Sequence, residues 1–214
     1  MKFTSDVEVE MLSSGVDEDT FVEIIDRLDR EGIASFHSGV TKAVYGRHMH
    51  KFKHCVFTFK IKAPRFLAQS ILSEGGVFLE IQDPSEEEPC FFIPSTEDID
   101  DLNDDRGSDN KLILDMAIRG ERTASASSWN AYKIREGTGM SKYYSQVVLP
   151  GSYCSTYLWT VDLPTLIQIV VEANRFDARA LNKRLLTQIW NLMKASHPKI
   201  LHAFEIHPFS SNRK

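Results

Sequence analysis

This sequence has few cysteines, and it has fewer basic residues than acidic ones. Its 214 residues include three cysteines, Cys55, Cys90 and Cys154, which are odd in number and far apart. Such spacing predicts neither a disulfide framework nor a zinc site. Lysine and arginine total 25 against 30 aspartates and glutamates, which gives a net charge of −5. This balance argues against a nucleic-acid surface, because phosphate binding needs clustered cations.

Long apolar segments are missing as well. The longest apolar runs fall far short of the roughly 20 residues that a membrane-spanning helix needs. The first residues, Met1–Glu8, lack the apolar centre of a signal peptide, so we expect a cytoplasmic protein. With 42% hydrophobic residues the chain can bury a core. No boundary divides it, and we predict a single domain over residues 1–214 with an acidic loop at about 83–109.

The most regular pattern lies in Phe52–Leu72. Apolar and polar residues alternate from Phe57 to Lys62, which is typical of a strand with one buried face. Pro64 then suits the first turn of a helix, where its missing N–H has no partner to lose. An apolar stripe follows at helical spacing, formed by Phe66, Leu67, Ser70 and Ile71. The segment predicts one strand that runs directly into one helix.

Weaker patterns complete a mixed set of elements. Strands are predicted at Val7–Leu12 and Val77–Gln82, while Tyr153–Val161 is strand-like but also tolerates a helix. The predicted helices begin at Asp17, Lys111, Trp129, Leu163 and Asp177, and the helix that begins at Lys111 is loosened by serines before it resumes at Trp129. The fold class that follows is α/β (α+β in detail), with a central sheet flanked by helices. The apolar helix over residues 163–173 is expected to be buried or in a subunit contact.

Four blocks of the sequence together resemble one family, the flavin-dependent thymidylate synthases (ThyX). Phe52–Leu72, FKHCVFTFKIKAPRFLAQSIL, resembles the family's strand–helix unit. Gln146–Thr160, QVVLPGSYCSTYLWT, resembles its R-x-V-L-P…Y…F-x-W-T stretch. Cys90–Glu97, CFFIPSTE, is similar to F-Y-I-P-S-P-E, and His48–His54, HMHKFKH, to H-x-T-P-F-E-H. The blocks occur in the family's order and spacing.

This resemblance implies the fold, partners and chemistry of ThyX proteins. A typical member is a homotetramer whose sites form between subunits. It transfers a methylene group from methylenetetrahydrofolate to deoxyuridylate (dUMP) and reduces it with FAD and NADPH, which yields thymidylate (dTMP). If this chemistry persists, the expected ligands are FAD, NADPH, methylenetetrahydrofolate and a nucleotide. Neither nucleic acid nor a membrane is an expected partner.

The family signature RHRxxSxxxxSxRY, which binds flavin and dUMP, is absent. Its Arg-His-Arg is Ser73-Glu74-Gly75 here, and its two serines fall at Phe78 and Asp83. The apolar and turn positions of the sequence match those of the family, whereas these polar positions do not. The change removes two cations from a site built for phosphates, which are recognised by charge-assisted pairing. It argues against the family's conversion of dUMP to dTMP.

Two cofactor-binding residues are predicted from the resemblance. His48 matches a histidine that lies next to the flavin, and Gln168 stands where the family has an asparagine. A loop histidine with no ligand is the alternative for His48. A metal cluster of His48, His50 and His54 is the third interpretation. Their close spacing and the lack of a fourth ligand argue against it, so no metal is predicted.

Four residues are predicted to bind substrate. Ser70 replaces a glutamine ahead of the signature, and Ser73 replaces the first signature arginine. Gln146 replaces the arginine before V-L-P, and Arg175 lies two residues beyond the arginine that closes the family's helix. Other basic residues that would compensate, if they converge on the site, are Arg47, Lys51 and Arg65.

No catalytic residue is predicted. Gly75-Gly76 fits a turn better than a phosphate loop, because no G-x-G-x-x-G or Walker pattern follows. Ser73 and Cys55 have no visible base in the sequence, which argues against a nucleophile. Tyr157 and Trp159 are most simply core aromatics.

Two hypotheses therefore stand side by side. The first is a ThyX-like protein of nucleotide metabolism with a reworked site. The second is a non-catalytic ThyX-fold protein, a scaffold or a subunit that joins a complete ThyX enzyme, which binds no flavin. Retention of FAD by the purified protein distinguishes the two.

Overall fold

The structure is a computed structural model that describes residues 1–15, 17–30, 52–72, 75–82, 88–95, 107–175 and 180–204. The strands in these ranges are β1 Lys2–Thr4, β2 Glu8–Ser14, β3 Val56–Pro64, β4 Val77–Glu80, β5 Cys90–Phe92 and β6 Cys154–Asp162. The helices are α1 Glu18–Arg30, α2 Arg65–Leu67, α3 Gly107–Gly137, α4 Lys142–Gln146, α5 Leu163–Arg175, α6 Ala180–Ser196 and α7 Pro198–Phe204. A π-helical turn, Ala68–Leu72, continues α2.

The main sheet is antiparallel and has the strand order β2-β3-β6-β4. β3 and β6 pair along their whole length, with Phe59 opposite Trp159. Residues that lie directly opposite each other share a face of the sheet. The apolar side chains of β3, Phe57, Phe59 and Ile61, are all fully buried on one face. The alternation predicted for this strand is confirmed.

The helices α5 and α6 pack against the buried face of the main sheet. Leu166, Ile167 and Val170 of α5 are buried, which confirms the prediction of an internal helix. The helix begins where Asp162 Oδ1 accepts the N–H of Thr165 at 2.8 Å. A carboxylate in this position satisfies one of the unpaired donors at a helix start.

Two further predictions concern single residues. Asp17 caps α1, because its carboxylate accepts the N–H groups of Asp19 at 3.4 Å and Thr20 at 3.2 Å. Tyr157 and Trp159 are 2% and 0% exposed. Both the predicted cap and the predicted core aromatics are confirmed.

A second, smaller sheet lies beside the first. Its two strands, β1 and β5, are parallel, and Phe91 of β5 forms an isolated bridge to Tyr153. Around it Tyr132, Leu149, Phe91 and Tyr153 make a separate buried cluster. Through Tyr132 this cluster holds the C-terminal half of α3 against the body of the protein.

The third predicted helix, which serines were expected to loosen before Trp129, is continuous. α3 runs unbroken from Gly107 to Gly137, and hydroxyl side chains form hydrogen bonds inside it. Thr123 Oγ1 donates to the carbonyl oxygen of Arg119 at 3.0 Å, and Ser125 Oγ donates to Glu121 Oε1 at 3.3 Å. Hydroxyls that bond to the preceding turn are compatible with a helix interior.

Other boundaries also differ from the predictions. Cys154–Asp162 is a strand, which settles the ambiguity over Tyr153–Val161. The short helix α7, which begins at Pro198, was not predicted; proline suits a first helical turn. The predicted acidic loop includes β5 and the start of α3. Much of that loop lies outside the described residues, and the predicted single domain stays a prediction.

Some predictions cannot be compared with the structure. His48, His50, Ser73 and the signature position Glu74 lie outside the described residues. Across the described ranges, no helix is both long enough and apolar enough to cross a membrane.

Candidate functional site

A cleft of about 300 Å³ lies at the β4 edge of the main sheet. It forms where the chain leaves β3 and enters α2, and α4 closes the other side. The described residues that line it are Arg65, Ala68, Gln69, Phe78, Glu80, Tyr143, Gln146, Val147 and Tyr157. Gln146, one of the predicted substrate-binding residues, therefore lies at a concave site.

The position of β4 depends on the two glycines that precede it. Gly76 has a φ of +79°, a conformation that side chains disfavour. A Cβ on Gly76 would meet the carbonyl oxygen of Thr160, and a Cβ on Gly75 would meet Thr165 Cγ2. The carbonyl oxygen of Gly75 also accepts the indole N–H of Trp159 at 2.8 Å. The predicted turn at these residues is therefore a tight one that seats β4 against β6.

The pairing of β4 with β6 places two more side chains in the cleft. Phe78 lies opposite Trp159, and Glu80 lies opposite Tyr157. The rings of Phe78 and Tyr157 meet edge to face, with their centroids 6.2 Å apart. Phe78 is 38% exposed and gives the cleft an apolar surface on which a planar ring can pack, while the buried ring of Tyr157 supports it from within.

Arg65 is the centre of the polar side of the cleft. Its Nη2 lies 3.0 Å from Glu80 Oε1, and its Nε donates to the same oxygen at 3.3 Å. The guanidinium also donates to the main-chain oxygen of Gln146 at 3.3 Å and to its side-chain Oε1 at 3.4 Å. It lies 5.2 Å from the centroid of the Tyr153 ring. Glu80, Gln146 and Tyr153 together fix its orientation.

The ion pair between Arg65 and Glu80 is partly shielded from water. The two side chains are 17% and 32% exposed. Burial, helped by the nearby charge of Glu80, raises the pKa of Tyr157 above its usual range. The phenol is protonated at neutral pH in any case, because its ordinary pKa is 10.0. In the described cleft, one cation, one anion and several uncharged polar groups face the same space.

The other predicted site residues have different positions. Ser70 is exposed beside the cleft, and its hydroxyl donates to the carbonyl oxygen of Leu67 at 3.1 Å. Gln168 is exposed on α5, one turn beyond Thr165. Arg175 ends α5, and its side chain lies outside the described set. The roles assigned to these residues stay predictions, as does that of Gln146.

Arg65, Phe78 and Glu80 are among the residues of the cleft that were not predicted as site residues. Arg65 was named only as a cation that would compensate if it converged on the site. Glu80 and Phe78 alternate on a short strand, and their approach to the cleft depends on the β4–β6 pairing. That pairing joins segments that are distant in the sequence, so period and composition alone do not reveal it.

Cys55 was considered as a nucleophile and is unsuited to that role. It is fully buried, and burial raises the pKa of its thiol to about 11. The thiolate is the reactive form, so the thiol is inert near neutral pH. The argument against a cysteine nucleophile at this position is strengthened by the structure.

A wider depression of about 480 Å³ lies on the opposite, open face of the sheet. Glu8 pairs with Lys62 and Glu10 pairs with Lys60 across β2 and β3, and all four line it. Opposite charges alternate there and neutralise one another. The described lining includes none of the predicted site residues, which favours the smaller cleft as the functional site.

Comparisons with known proteins agree with this fold. The family model described as thymidylate synthase complementing protein (Thy1) matches residues 12–199 of the chain. The flavin-dependent thymidylate synthase of Thermosipho africanus (strain TCF52B) is 25% identical over 165 residues, which cover 73% of this chain and 71% of that protein.

Solved structures of a UMP/dUMP methylase, PolB from Streptomyces cacaoi, have the same fold. The complex with 5-Br UMP has a TM-score of 0.73 at 17% identity and covers 95% of each chain. The complex with 5-Br dUMP has a TM-score of 0.71 at 17% identity and covers 95% of this chain and 97% of the other. The family match extends over most of the sequence, and the chain therefore belongs to the ThyX family, that of the thymidylate synthase complementing proteins.

Proposed function

We propose that this ThyX-family chain binds a pyrimidine nucleotide in the cleft between α2, β4 and α4, with Arg65 as the residue that contacts the phosphate. The observation that carries the proposal is the position of the Arg65 guanidinium, 3.4 Å from the side-chain oxygen of Gln146. The resemblance places a substrate-binding arginine of the family at position 146. A cation is thus present at that place, although a different position of the sequence supplies it.

The rest of the cleft supports a pyrimidine as the ligand. The exposed ring of Phe78 gives a planar base a surface for packing. Gln69 and Gln146 carry amide groups that both donate and accept hydrogen bonds, as the edge of a uracil ring requires. The PolB structures contain 5-Br UMP and 5-Br dUMP, which makes nucleotides of this class the first ones to test.

FAD and the family reaction are a separate question. The FAD pyrophosphate and a nucleotide phosphate together require several cations or N–H donors. Among the described residues that line the cleft, Arg65 is the one cation, and Glu80 neutralises it. The described cleft does not fit both groups, so the proposal is limited to the nucleotide. We do not expect this chain to methylate dUMP to dTMP as other members of the family do.

The alternative is a non-catalytic scaffold or a partner subunit of a complete ThyX enzyme. One observation favours it: Gly75 occupies a signature arginine position, and Thr165 of α5 fills the space that a side chain there would need. An arginine does not fit at this position unless α5 moves. The visible absorption spectrum tests this alternative, because a protein that keeps FAD has a flavin band. A colourless protein that ignores added FAD supports the scaffold.

The nucleotide proposal is tested by moving the guanidinium. Charge-assisted hydrogen bonds contribute about 1.5–3 kcal/mol, so Arg65→Gln should weaken dUMP binding roughly 10- to 100-fold in calorimetry. The double variant Arg65→Gln/Gln146→Arg returns the cation to the family position and should recover most of the affinity. Retention of the wild-type circular dichroism spectrum shows that the variants are folded.

The matched control is Lys60→Gln, which removes a cation from the opposite face of the sheet and should leave dUMP binding unchanged. An Arg65→Gln variant that binds dUMP as tightly as wild type overturns the assignment of Arg65. So does an equal loss in Lys60→Gln, since that result would indicate a general charge effect.

A further inference from the structure

Two buried cysteines, Cys90 and Cys154, lie side by side where the small sheet meets the main sheet. β5 and β6 are joined there by the antiparallel bridge between Phe91 and Tyr153. In antiparallel pairing, the residue before one partner lies opposite the residue after the other. Cys90 therefore lies opposite Cys154, although the two are far apart in the sequence and their spacing did not predict a pair.

Two further observations support this register. On the other side of the bridge, the N–H of Phe92 donates to the carbonyl oxygen of Ser152 at 2.7 Å. The bridging residues Phe91 and Tyr153 belong to the small buried cluster beside α3, whereas both cysteines belong to the main core. Side chains alternate between the two faces of a strand, so the two thiols lie on the same face.

The backbone spacing at this point suits a disulfide. Residues directly opposite each other in antiparallel strands have Cα atoms about 4.5–5.5 Å apart, and disulfides span Cα distances of about 4.4–6.8 Å. A bond between these thiols therefore needs rotation of two side chains and no movement of a strand. Cys55 precedes the other end of β3, which is nine residues long, so it lies roughly 30 Å away at 3.3 Å per residue.

The two thiols are not equivalent. The hydrogen bond between them lowers the pKa of Cys90 and raises the pKa of Cys154. Burial opposes ionisation of Cys90, as does Glu8, while Lys62 and Lys2 favour its thiolate. Cys90 is also the more accessible thiol, at 6% exposed against 1% for Cys154. Because the thiolate is the reactive form, Cys90 is the member of the pair that reacts first.

The pair lies beside the wide depression on the open face of the main sheet. Thr156 follows Cys154 by two residues on β6, and therefore on the same face, and it lines that depression. Lys62, which lies opposite Thr156, lines it too. A small uncharged oxidant such as hydrogen peroxide has a route to the thiols from this side.

From this arrangement we propose that Cys90 and Cys154 are a redox-sensitive pair, which a hydroperoxide converts to a disulfide between β5 and β6. The Cys90 thiolate attacks one peroxide oxygen, the O–O bond breaks, and a sulfenic acid forms. The departing hydroxide takes up the proton that Cys90 released. The Cys154 sulfur then attacks the Cys90 sulfur, and its proton leaves with the hydroxyl group as water. Two thiols and one hydrogen peroxide thus yield one disulfide and two waters.

The disulfide would fix the start of β6 to the small sheet. The carbonyl oxygen of Tyr153, the residue before Cys154, accepts the N–H of Arg65 at 3.0 Å. The bond therefore forms next to the residues that orient Arg65, and it closes a long loop that contains α3. A closed loop lowers the conformational entropy of the unfolded chain and stabilises the folded one. The proposal does not depend on nucleotide binding.

Peptide mapping tests the pairing in the wild-type protein. The folded protein is treated with a slight excess of hydrogen peroxide, catalase removes the remainder, and the chain is unfolded at once in denaturant that contains iodoacetamide. Mass spectrometry of the digest should find the Cys90 and Cys154 peptides joined and Cys55 alkylated. The Cys55→Ser variant is the matched control, and it should give the same joined peptides.

Single substitutions test the order of the two steps. Cys154→Ser keeps a hydroxyl that donates to Cys90 but removes the second thiol, so dimedone should trap a sulfenic acid at Cys90. Cys90→Ser should leave Cys154 as an unmodified thiol after the same treatment. Circular dichroism spectra like that of wild type show that the variants are folded.

Thermal unfolding measures the effect of the bond. The oxidised wild-type protein should melt about 5–10 °C above the reduced protein, and dithiothreitol should reverse the gain. Cys55→Ser should show the same gain. Cys154→Ser, treated in parallel, should show none, and it reports any effect of methionine oxidation on the melting temperature.

Three results would overturn the proposal. In the oxidised wild-type protein, Cys90 could be recovered as an oxidised but unlinked side chain, or as an unreacted thiol. A link that includes Cys55 would show that the disulfide forms in unfolded chains. Equal melting temperatures of the oxidised and reduced wild-type protein would show that the two strands are not clamped, and this measurement needs no variant to fold.

Discussion

At the scale of single residues, Gly76 shows how backbone conformation prepares the cleft. Its φ of +79° and its approach to the Thr160 carbonyl oxygen allow β4 to start where it does. Phe78 and Glu80 reach the cleft only because β4 begins there. A glycine that appears to be a simple turn residue in the sequence is therefore a positioning residue for the site.

Replacement of this glycine is expected to destabilise the protein strongly. Gly76→Ala suffers both the unfavourable φ and a clash with main-chain atoms, which together should lower the free energy of unfolding by about 2–4 kcal/mol in urea titration. Gly139→Ala is the control: its φ is +77°, but nothing lies within 4 Å of an added Cβ. It should lose only about 1–2 kcal/mol. Equal losses at both positions would contradict the steric explanation.

Arg65 illustrates a second residue-scale point. Arg65 contacts Gln146, the position where the resemblance implies a family arginine, although the two residues are far apart in the sequence. Site residues inferred one position at a time miss such contacts, because the contact depends on how α2 leaves β3. The guanidinium is also shared with Glu80, so a bound phosphate has to compete with a carboxylate.

At the scale of elements, the start of α1 makes a pH-dependent prediction. Hydrogen bonds from the main chain and hydroxyl of Thr20 hold the pKa of Asp17 below its ordinary value of 3.8. A carboxylate with a lowered pKa stabilises the folded state above the unfolded pKa, and this stabilisation is lost as the pH falls through the folded pKa.

The Asp17→Ala variant should therefore melt at a lower temperature than wild type at pH 7. The difference should shrink as the pH falls below 3.8, because wild type loses its charged cap there. Asp115→Ala, which replaces an exposed acidic residue within a helix, is the control. Its difference in melting temperature from wild type should not shrink in this way. If the difference in melting temperature between Asp17→Ala and wild type stays constant with pH, Asp17 acts through something other than its charge.

Elements with strong local signals could be predicted from the sequence. Interactions within a few residues determine the alternation in β3, the cap at Asp17 and the apolar character of α5. β4 was also predicted, but its pairing with β6 was not. The continuity of α3 was not predicted. Its hydroxyl side chains form hydrogen bonds within the helix, which composition does not reveal.

At the scale of the whole molecule, the family and the mixed α/β fold were recoverable from the sequence, and the site was recoverable only in part. Packing positions of the ThyX pattern persist, and they determine the fold. The RHRxxSxxxxSxRY signature is absent from the sequence, so the family pattern did not identify most residues of the cleft. Gln146 was predicted and lines the cleft, whereas Glu80 and Phe78 needed the sheet register.

The contrast between matched packing positions and an absent signature also bears on function. The sequence lacks the arginines of the family signature, and the proposal is therefore limited to the binding of a nucleotide. The cleft nevertheless keeps a guanidinium, amide groups and an aromatic wall in one place. Nucleotide binding is therefore the part of the family function that this geometry supports best.

The most direct test of that claim compares dUMP with deoxyuridine, which lacks the phosphate, by calorimetric titration of the wild-type protein. If Arg65 contacts the phosphate, dUMP should bind at least about tenfold more tightly, the equivalent of 1.4 kcal/mol. Raised ionic strength should narrow the difference. Equal affinity for the two ligands, or no binding of either one, would contradict the account.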